Sequence, residues 1–308
     1  MNLFDIILVQ PIFNLLLFIY GIIPGHDFGV ALILFTIIVR FVMWPLVRRQ
    51  LHQTRKMQSL QGEIQKIKQR TKGNKTLESQ MMMELYREKG VNPFGSIGLL
   101  LLQLPVFISL YAVVRLITTD HSVNIAKYAY GFVEQLPYIK DIIAHPSDFN
   151  SVLFGVVDLT KTAFGNSGFY LPIFILAICA AGFQFWQSKQ LLPKVKEGRR
   201  LRDVLKEQAS GKQVDQSEVS ALMSNRMTFL FPILTFMISI YLAGALVLYL
   251  LTTSVIAVIQ QGIVLRDDSE EMIHLRSKKG EQKLQNAKEA AIVEEPQPTA
   301  KAKKGKKR

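Results

Sequence analysis

Long apolar blocks, separated by charged connections, constrain this chain more than any other feature of its sequence. The blocks cover residues 28–46, 94–117, 169–187 and 228–264. A helix needs about 20 apolar residues to cross about 30 Å of hydrocarbon, and most of these blocks approach or exceed that length. Hydrophobic residues make up 49% of the 308 residues, and the charged residues are concentrated between the blocks. This segregation predicts an all-α polytopic membrane protein and not a soluble one.

The last block is too long for one span and is predicted to form two. Residues 228–242 and 245–264 would each cross the bilayer, joined by a tight turn. With the three earlier blocks this gives five transmembrane helices from residue 28 onward. Residues 3–23 are also apolar, but Asp5 and Pro11 interrupt them. Hydropathy leaves open whether this segment spans the bilayer or lies in its interface.

The charges of the connections predict the orientation of the chain. Residues 47–93 carry eleven Lys/Arg against four Glu, residues 188–226 carry nine against five acids, and residues 266–308 carry twelve against eight. Residues 118–168 carry only three Lys against five acids. Because Lys and Arg accumulate in cytoplasmic connections, the three basic segments are expected inside and 118–168 outside. The N-terminal region is then outside and the C-terminus cytoplasmic.

The predicted organisation follows directly from these blocks. In chain order it comprises an N-terminal outer segment 1–27, the first transmembrane helix 28–46, a cytoplasmic helical hairpin 47–93, the second transmembrane helix 94–117, an outer connection 118–168, the third transmembrane helix 169–187, a cytoplasmic loop 188–227, the fourth transmembrane helix 228–242, the fifth transmembrane helix 245–264 and a basic cytoplasmic tail 265–308.

The connection 47–93 has the pattern of a helical hairpin. Its apolar residues follow helical spacing on either side of a turn signal at 72–75. They are Met57, Leu60, Ile64 and Ile67 before the turn, and Leu77, Met81 and Leu85 after it. We expect these residues to form the seam between two helices with solvated basic faces.

The tail 265–308 is predicted to be disordered because it is polar and of low complexity. Its end, 301–308, is almost entirely basic. Such a segment could follow anionic lipid headgroups or contact ribosomal RNA phosphates. A third interpretation is a solvated tail that only reinforces orientation.

Arg40 is the most informative polar residue, because it lies inside an apolar block with Thr36 one turn earlier. A charged residue within a span is costly and usually faces a wet or protein-lined cavity. Alternatively, Arg40 extends to the cytoplasmic headgroups. Gln103 and Gln184 are the other polar side chains deep in spans. Each could join helices, or both could face Arg40 and form a hydrophilic groove.

The last span carries a polar stripe that includes Tyr249 and Thr252. Small hydroxyl residues in spans also serve helix packing, so a groove role and a packing role both remain open.

The sequence lacks the signatures of an enzyme. Residues 165–168 have the GxSG form of an intramembrane serine protease. That enzyme needs a histidine inside a spanning helix as its base, and all five histidines lie outside the apolar blocks. No P-loop, no HExxH motif and no carboxylate pair within a span occurs. Cys179 is the single cysteine, which excludes an intrachain disulfide. We therefore predict no catalytic residues, no metal and no cofactor.

Taken together, several short motifs resemble the YidC/Oxa/Alb membrane protein insertases. Any one of them is weak, but their order and spacing over residues 8–264 match the family. They are Thr36-Ile37-Ile38-Val39-Arg40, Pro45-Leu46 and Met57-Gln58, then Glu84-Leu85-Tyr86, Gly90-Val91-Asn92-Pro93 and Gln103-Leu104-Pro105, and finally Gly244, Leu248-Tyr249, Thr252-Thr253-Ser254 and Gln260-Gln261.

The resemblance implies a five-helix core whose hydrophilic groove opens to the cytoplasm and to lipid but is closed outside. It implies that residues 10–23 form an interfacial outer helix, that Arg40 is the groove arginine beside Thr36, and that Gln184 lies on the groove wall. The sequence departs from the family pattern at Tyr249-Leu250, where a Tyr-Trp pair is common. It also looks like a short bacterial form without the large outer domain of some members.

The resulting expectation is an insertase and chaperone of the bacterial cytoplasmic membrane, without enzymatic activity. Its expected partners are nascent membrane proteins, the lipid bilayer, the ribosome through residues 301–308, and a Sec translocon. The alternative is a small-molecule or anion transporter that uses Arg40 as a binding site, but it predicts repeat symmetry and broken-helix segments in both halves of the chain, and the sequence shows neither. The substrate set, Sec dependence and oligomeric state are not encoded in any motif.

Overall fold

The computed structural model describes residues 2–71, 74–92, 95–165, 168–191 and 229–266. The described residues up to Gly262 form one compact unit. Most of the predicted loop 188–227 and of the predicted tail 265–308 lies outside the described residues.

The described residues are overwhelmingly helical, as expected for an all-α membrane protein. A π-helical turn, Asp5–Val9, precedes the first of eleven helices in the described ranges. These are α1 Gln10–Ile22, α2 Phe28–Val42, α3 Trp44–Ser59, α4 Gln61–Thr71, α5 Lys75–Glu88, α6 Gly95–Tyr128, α7 Gly131–Glu134, α8 Pro137–Ala144, α9 Leu171–Leu191, α10 Phe229–Ser239 and α11 Gly244–Arg266.

Three helical segments of the described chain are long and apolar enough to cross a bilayer. They are Asp5–Ile22, Leu171–Gln190 and Gly244–Arg266. Helices α2 and α3 would add a fourth if they are counted as one broken span. The structure thus supports a multi-pass protein, while the predicted number of five spans stays a prediction.

The first predicted span is interrupted near its C-terminal end. Helix α2 begins after Asp27, whose carboxylate accepts a hydrogen bond from Val30 N at 3.0 Å as an N-cap. It ends at Val42, and α3 departs at an angle of 63°. Pro45 lies in the first turn of α3, where a proline is tolerated because its missing N–H needs no partner.

The main core is formed by apolar side chains of α1, α2, α6, α8 and α11. Polar groups fasten α1 to the end of α6. The side chain of Asn14 donates to Tyr128 O at 2.9 Å and accepts from Tyr130 N at 2.5 Å. Asn14 is buried, so these bonds satisfy an amide that would otherwise be costly to place there.

Helices α4 and α5 pack through a separate apolar cluster. Its buried members are Leu60, Ile64, Ile67, Leu85 and Val91, with Met57, Met81, Met82 and Tyr86 partly buried against them.

Leu77, which the sequence pattern also placed in this seam, is exposed. It lies in the first turn of α5, close to the connection from α4. The cytoplasmic position of the α4–α5 pair stays a prediction.

The connection after α6 contains two short antiparallel β-hairpins. Strand β1 (Val152–Leu153) pairs with β2 (Val157–Asp158), and β3 (Phe164–Gly165) pairs with β4 (Gly168–Phe169). The connection also contacts the start of α11, where Gly244 N donates to Lys161 O at 2.8 Å. A Cβ at Gly244 would clash with Ile173 of α9, so the close approach of these elements requires glycine.

Candidate functional site

Arg40 lies in the last turn of α2 and is directed at α11. Its side chain is buried, with only 8% of its surface exposed. Nη2 donates to the backbone oxygen of Thr253 at 3.1 Å, and Nη1 donates to Gln260 Oε1 at 3.4 Å. Gln260 Nε2 in turn donates to Arg40 O at 3.4 Å. The guanidinium is therefore held between two helices.

All hydrogen-bond partners of Arg40 within the described ranges are uncharged. They are a backbone carbonyl and a side-chain amide, and no described carboxylate lies within salt-bridge distance. A guanidinium stays protonated in proteins, and its burial without an opposite charge is energetically costly. The site thus presents an uncompensated positive charge beneath the surface.

Thr36 is buried one turn before Arg40 on the same helix. Its Oγ1 donates to Leu32 O at 2.7 Å. This bond within the helix is the common state of a threonine in an apolar helix, and it satisfies the hydroxyl without a partner from another helix. Thr36 and Arg40 therefore lie on the same face of α2, but the two side chains form no hydrogen bond with each other.

Gln103 and Tyr249 connect α6 with α11. The Gln103 amide donates a short hydrogen bond to the Tyr249 hydroxyl. Tyr249 is buried. The ring of Phe107, one turn after Gln103, packs at 6.4 Å between centroids from the Tyr249 ring.

Gln184 connects α9 with α11 by a different bond. Ser254 Oγ donates to Gln184 Oε1 at 3.1 Å. Thr252, which precedes this contact, bonds within its own helix through Oγ1 to Leu248 O at 2.8 Å. Helix α11 is thus the common partner of the polar side chains from α2, α6 and α9.

Gln260 and the carbonyl of Thr253 are the site groups that the sequence reasoning did not assign to Arg40. Residues 249, 253 and 260 are separated by four and seven residues, so they share one face of a helix. That periodicity was visible in the polar stripe of the last span. Which helix this face meets is a property of the tertiary fold.

Side chains that could together ligate a metal ion occur, within the described part of the chain, only at Asp141, His145 and Asp148. All three are exposed, and they lie at α8 and the short turn after it. The polar groups around Arg40 belong to other helices.

Comparison with known proteins finds one matching family and several relatives with the same name. The model of the 60Kd inner membrane protein family matches residues 18–271, which is more than half of the chain. A membrane protein insertase YidC from Tolumonas auensis is 44% identical over 104 residues, covering 34% of this chain and 19% of that protein.

Two further relatives match over longer stretches. The membrane protein insertase YidC of Bradyrhizobium diazoefficiens is 28% identical over 243 residues, 78% of this chain and 33% of that protein. That of Streptomyces avermitilis is 26% identical over 261 residues, 81% of this chain and 54% of that protein. The chain therefore spans about half or less of the length of these curated relatives.

Proposed function

This chain belongs to the YidC/Oxa/Alb family of membrane protein insertases, and we propose on that premise that it inserts nascent membrane proteins into the lipid bilayer. The proposed site is a hydrophilic groove around Arg40, lined by Thr36, Gln103, Gln184, Tyr249 and Thr252. The observation that supports it best is the buried guanidinium of Arg40, whose partners are neutral groups of α11.

An uncompensated guanidinium favours acidic groups on an incoming chain. At 4 Å and an effective dielectric constant of 20, two opposite charges attract by about 4 kcal/mol. An aspartate at the centre of a membrane helix costs about 2.5–3.5 kcal/mol on insertion scales. The attraction is therefore of the size needed to offset the transfer of one acidic residue past Arg40.

The contact between Arg40 and Gln260 is weak enough for this exchange. The contacts with Gln260 are 3.4 Å long, at the outer limit of hydrogen-bond length. A carboxylate that displaces Gln260 would form a shorter, charge-assisted bond. We therefore expect a substrate tail to replace Gln260 as a partner of Arg40, while the bond to the Thr253 carbonyl stays in place.

A buried acceptor without a partner on α11 supports water in the groove. Gln261 Oε1 is buried and has no hydrogen-bond partner among the described residues. Buried polar groups of this kind usually bind water, and water lowers the cost of passing a polar segment.

The proposed mechanism contains no covalent step. The acidic tail enters the groove from the cytoplasm and contacts Arg40, while the apolar segment leaves sideways into lipid. Burial of apolar surface, about 25 cal/mol per Å², drives this release. In the same proposal, helices α4 and α5 receive the substrate on the cytoplasmic side, and residues 301–308 contact the ribosome. A Sec translocon is a further proposed partner, and the N-terminal region is outside with the C-terminus in the cytoplasm.

We predict that Arg40→Ala impairs insertion of substrates with acidic outer tails, by about tenfold if ~1.4 kcal/mol of attraction is lost. Arg40→Lys retains the charge and should be tolerated better. The measurement is insertion of a one-span substrate into proteoliposomes that contain the purified full chain. Arg49→Ala removes an exposed arginine from α3 and serves as the matched control.

A substrate with an uncharged tail separates the proposed role from a folding defect. Its insertion should be nearly unchanged by Arg40→Ala. Equal insertion of the acidic substrate by the alanine variant and the unmodified protein would contradict the proposal.

A further inference from the structure

The β1–β2 hairpin has an exposed apolar tip with a strained backbone. Residues 154–156 connect its two strands. Phe154 and Gly155 are the central residues of a turn closed by a hydrogen bond from Val156 N to Leu153 O at 3.0 Å. Both turn residues have positive φ, 51° for Phe154 and 70° for Gly155. Glycine adopts this conformation readily, whereas a bulky residue such as phenylalanine is strained in it.

The side chains at this tip are also exposed. Phe154 and Val156 are each 72% exposed, and residues 151–157 carry no charge. In water an aromatic side chain at such a position would be disfavoured twice, by its backbone conformation and by its exposure. A turn that faces water normally carries Asn, Asp or Gly instead.

The hairpin is fastened to the first turn of α2. Phe154 N donates to Asp27 Oδ2 at 2.6 Å, and the other oxygen of the same carboxylate caps α2. Phe28 N donates to Asn150 O at 3.3 Å. A Cβ at Gly29 would lie 2.5 Å from Leu153 Cδ1, so β1 lies directly against the start of the helix.

The tip lies at the start of α2, and this sets its depth. Helix α2 has 15 residues and is therefore about 22 Å long at 1.5 Å per residue, against a hydrocarbon core about 30 Å thick. Helix α3 continues the apolar segment after a bend. If α2 crosses the bilayer, its first turn therefore lies near one boundary of the hydrocarbon core. Phe154 is held at the level of that turn by its hydrogen bond to Asp27.

A second hairpin places aromatic residues at a comparable position. Phe164 and Phe169 are exposed, their rings are 5.1 Å apart between centroids, and Phe169 precedes the start of α9 by two residues. Exposed aromatic side chains at the ends of membrane helices are typical of groups that lie at the lipid interface.

We infer that the Phe154–Val156 tip inserts into the lipid leaflet at the N-terminal end of α2 and anchors this connection to the membrane surface. The bound partner is lipid, because the tip is uncharged, is exposed and is bonded to the start of the apolar helix α2. The inference depends on α2 crossing the bilayer and is independent of insertase activity.

Spin labelling of the full chain in liposomes tests this inference. Cys179 is the single native cysteine, so a Cys179→Ala background allows one nitroxide at Val156→Cys while Phe154 stays in place. We expect the label to collide more often with oxygen, which concentrates in lipid, than with a water-soluble nickel complex. Adding Phe154→Asn, which fits the positive φ, should invert this ratio as the tip leaves the lipid.

Two outcomes would overturn the inference. A label that meets the nickel complex freely, whether or not Phe154 is present, would place the tip in water. A label protected from both oxygen and the nickel complex would place the tip against protein. A thermal-stability measurement in detergent checks that Phe154→Asn is folded, and relief of backbone strain should leave the melting temperature equal or higher.

Discussion

Arg40 is held in its buried position by neutral groups, and this determines how it can respond to a substrate. Removing a guanidinium from water costs several kcal/mol even after relaxation. One backbone carbonyl and one amide recover only part of that cost, at about 1.5–3 kcal/mol for a hydrogen bond to a charged group. The remaining deficit makes the arginine receptive to a negative charge.

Gln260→Glu tests whether the missing negative charge beside Arg40 matters, because it replaces the side-chain amide nitrogen with an oxygen and adds one charge. The carboxylate would lie where the amide oxygen is now and would neutralise Arg40 without moving it. We predict about a tenfold loss in insertion of acidic-tailed substrates, ~1.4 kcal/mol, in the proteoliposome assay. Gln260→Met has a similar volume and no charge, and it should retain more activity than the glutamate variant. Equal activity of the two variants would contradict the electrostatic role of Arg40.

The sequence was sufficient to identify Arg40, because a charge inside an apolar block is conspicuous whatever the fold. It was also sufficient to mark Tyr249 and its neighbours as a polar face. The pairing of Arg40 with Gln260 could not be predicted, because helical periodicity defines a face but not the helix that packs against it. The same limit applies to the bond between Gln103 and Tyr249.

At the scale of elements, the α4–α5 pair shows how well apolar spacing predicts packing. The cluster contains Ile64, Met81 and Leu85, as the spacing indicates. Leu77 has the right spacing but is exposed, because it lies in the first turn of α5, next to the end of α4. Periodicity does not predict where the neighbouring helix ends. The break between α2 and α3 was likewise hidden, since hydropathy continues through Met43 while the helix axis turns.

The contrast between Leu85 and Leu77 gives a matched prediction. Leu85→Asp would bury a carboxylate in the apolar cluster and should destabilise the α4–α5 pair by about 3 kcal/mol. Leu77→Asp makes the same change on the same helix at an exposed position and should cost little. Limited proteolysis of the full chain in detergent would measure the difference. Similar cleavage rates for both variants would argue against the cluster.

At the scale of the whole molecule, orientation is the property that the sequence predicts and the fold does not show. The basic connections and the acidic segment 118–168 define it through the positive-inside rule. Helix packing looks the same in either orientation, so the prediction requires a measurement across a membrane.

Cysteine labelling supplies that measurement. In a Cys179→Ala background, Ser147→Cys reports on the predicted outer connection and Ser59→Cys on the predicted cytoplasmic side, and both serines are exposed. With intact cells and a membrane-impermeant maleimide, we expect position 147 to react at once and position 59 only after permeabilisation. The reverse pattern would invert the predicted topology.

The shortness of α2 also has a consequence for the surrounding lipid. A helix that is several ångströms shorter than the hydrocarbon core draws the two leaflets together around it, at a fraction of a kcal/mol per ångström. A polar residue that crosses beside this helix would then traverse a thinner insulating layer than one that crosses elsewhere. Bilayer deformation and the charge of Arg40 would act on the same barrier, so lipids with longer acyl chains should slow the crossing even when the protein is unchanged.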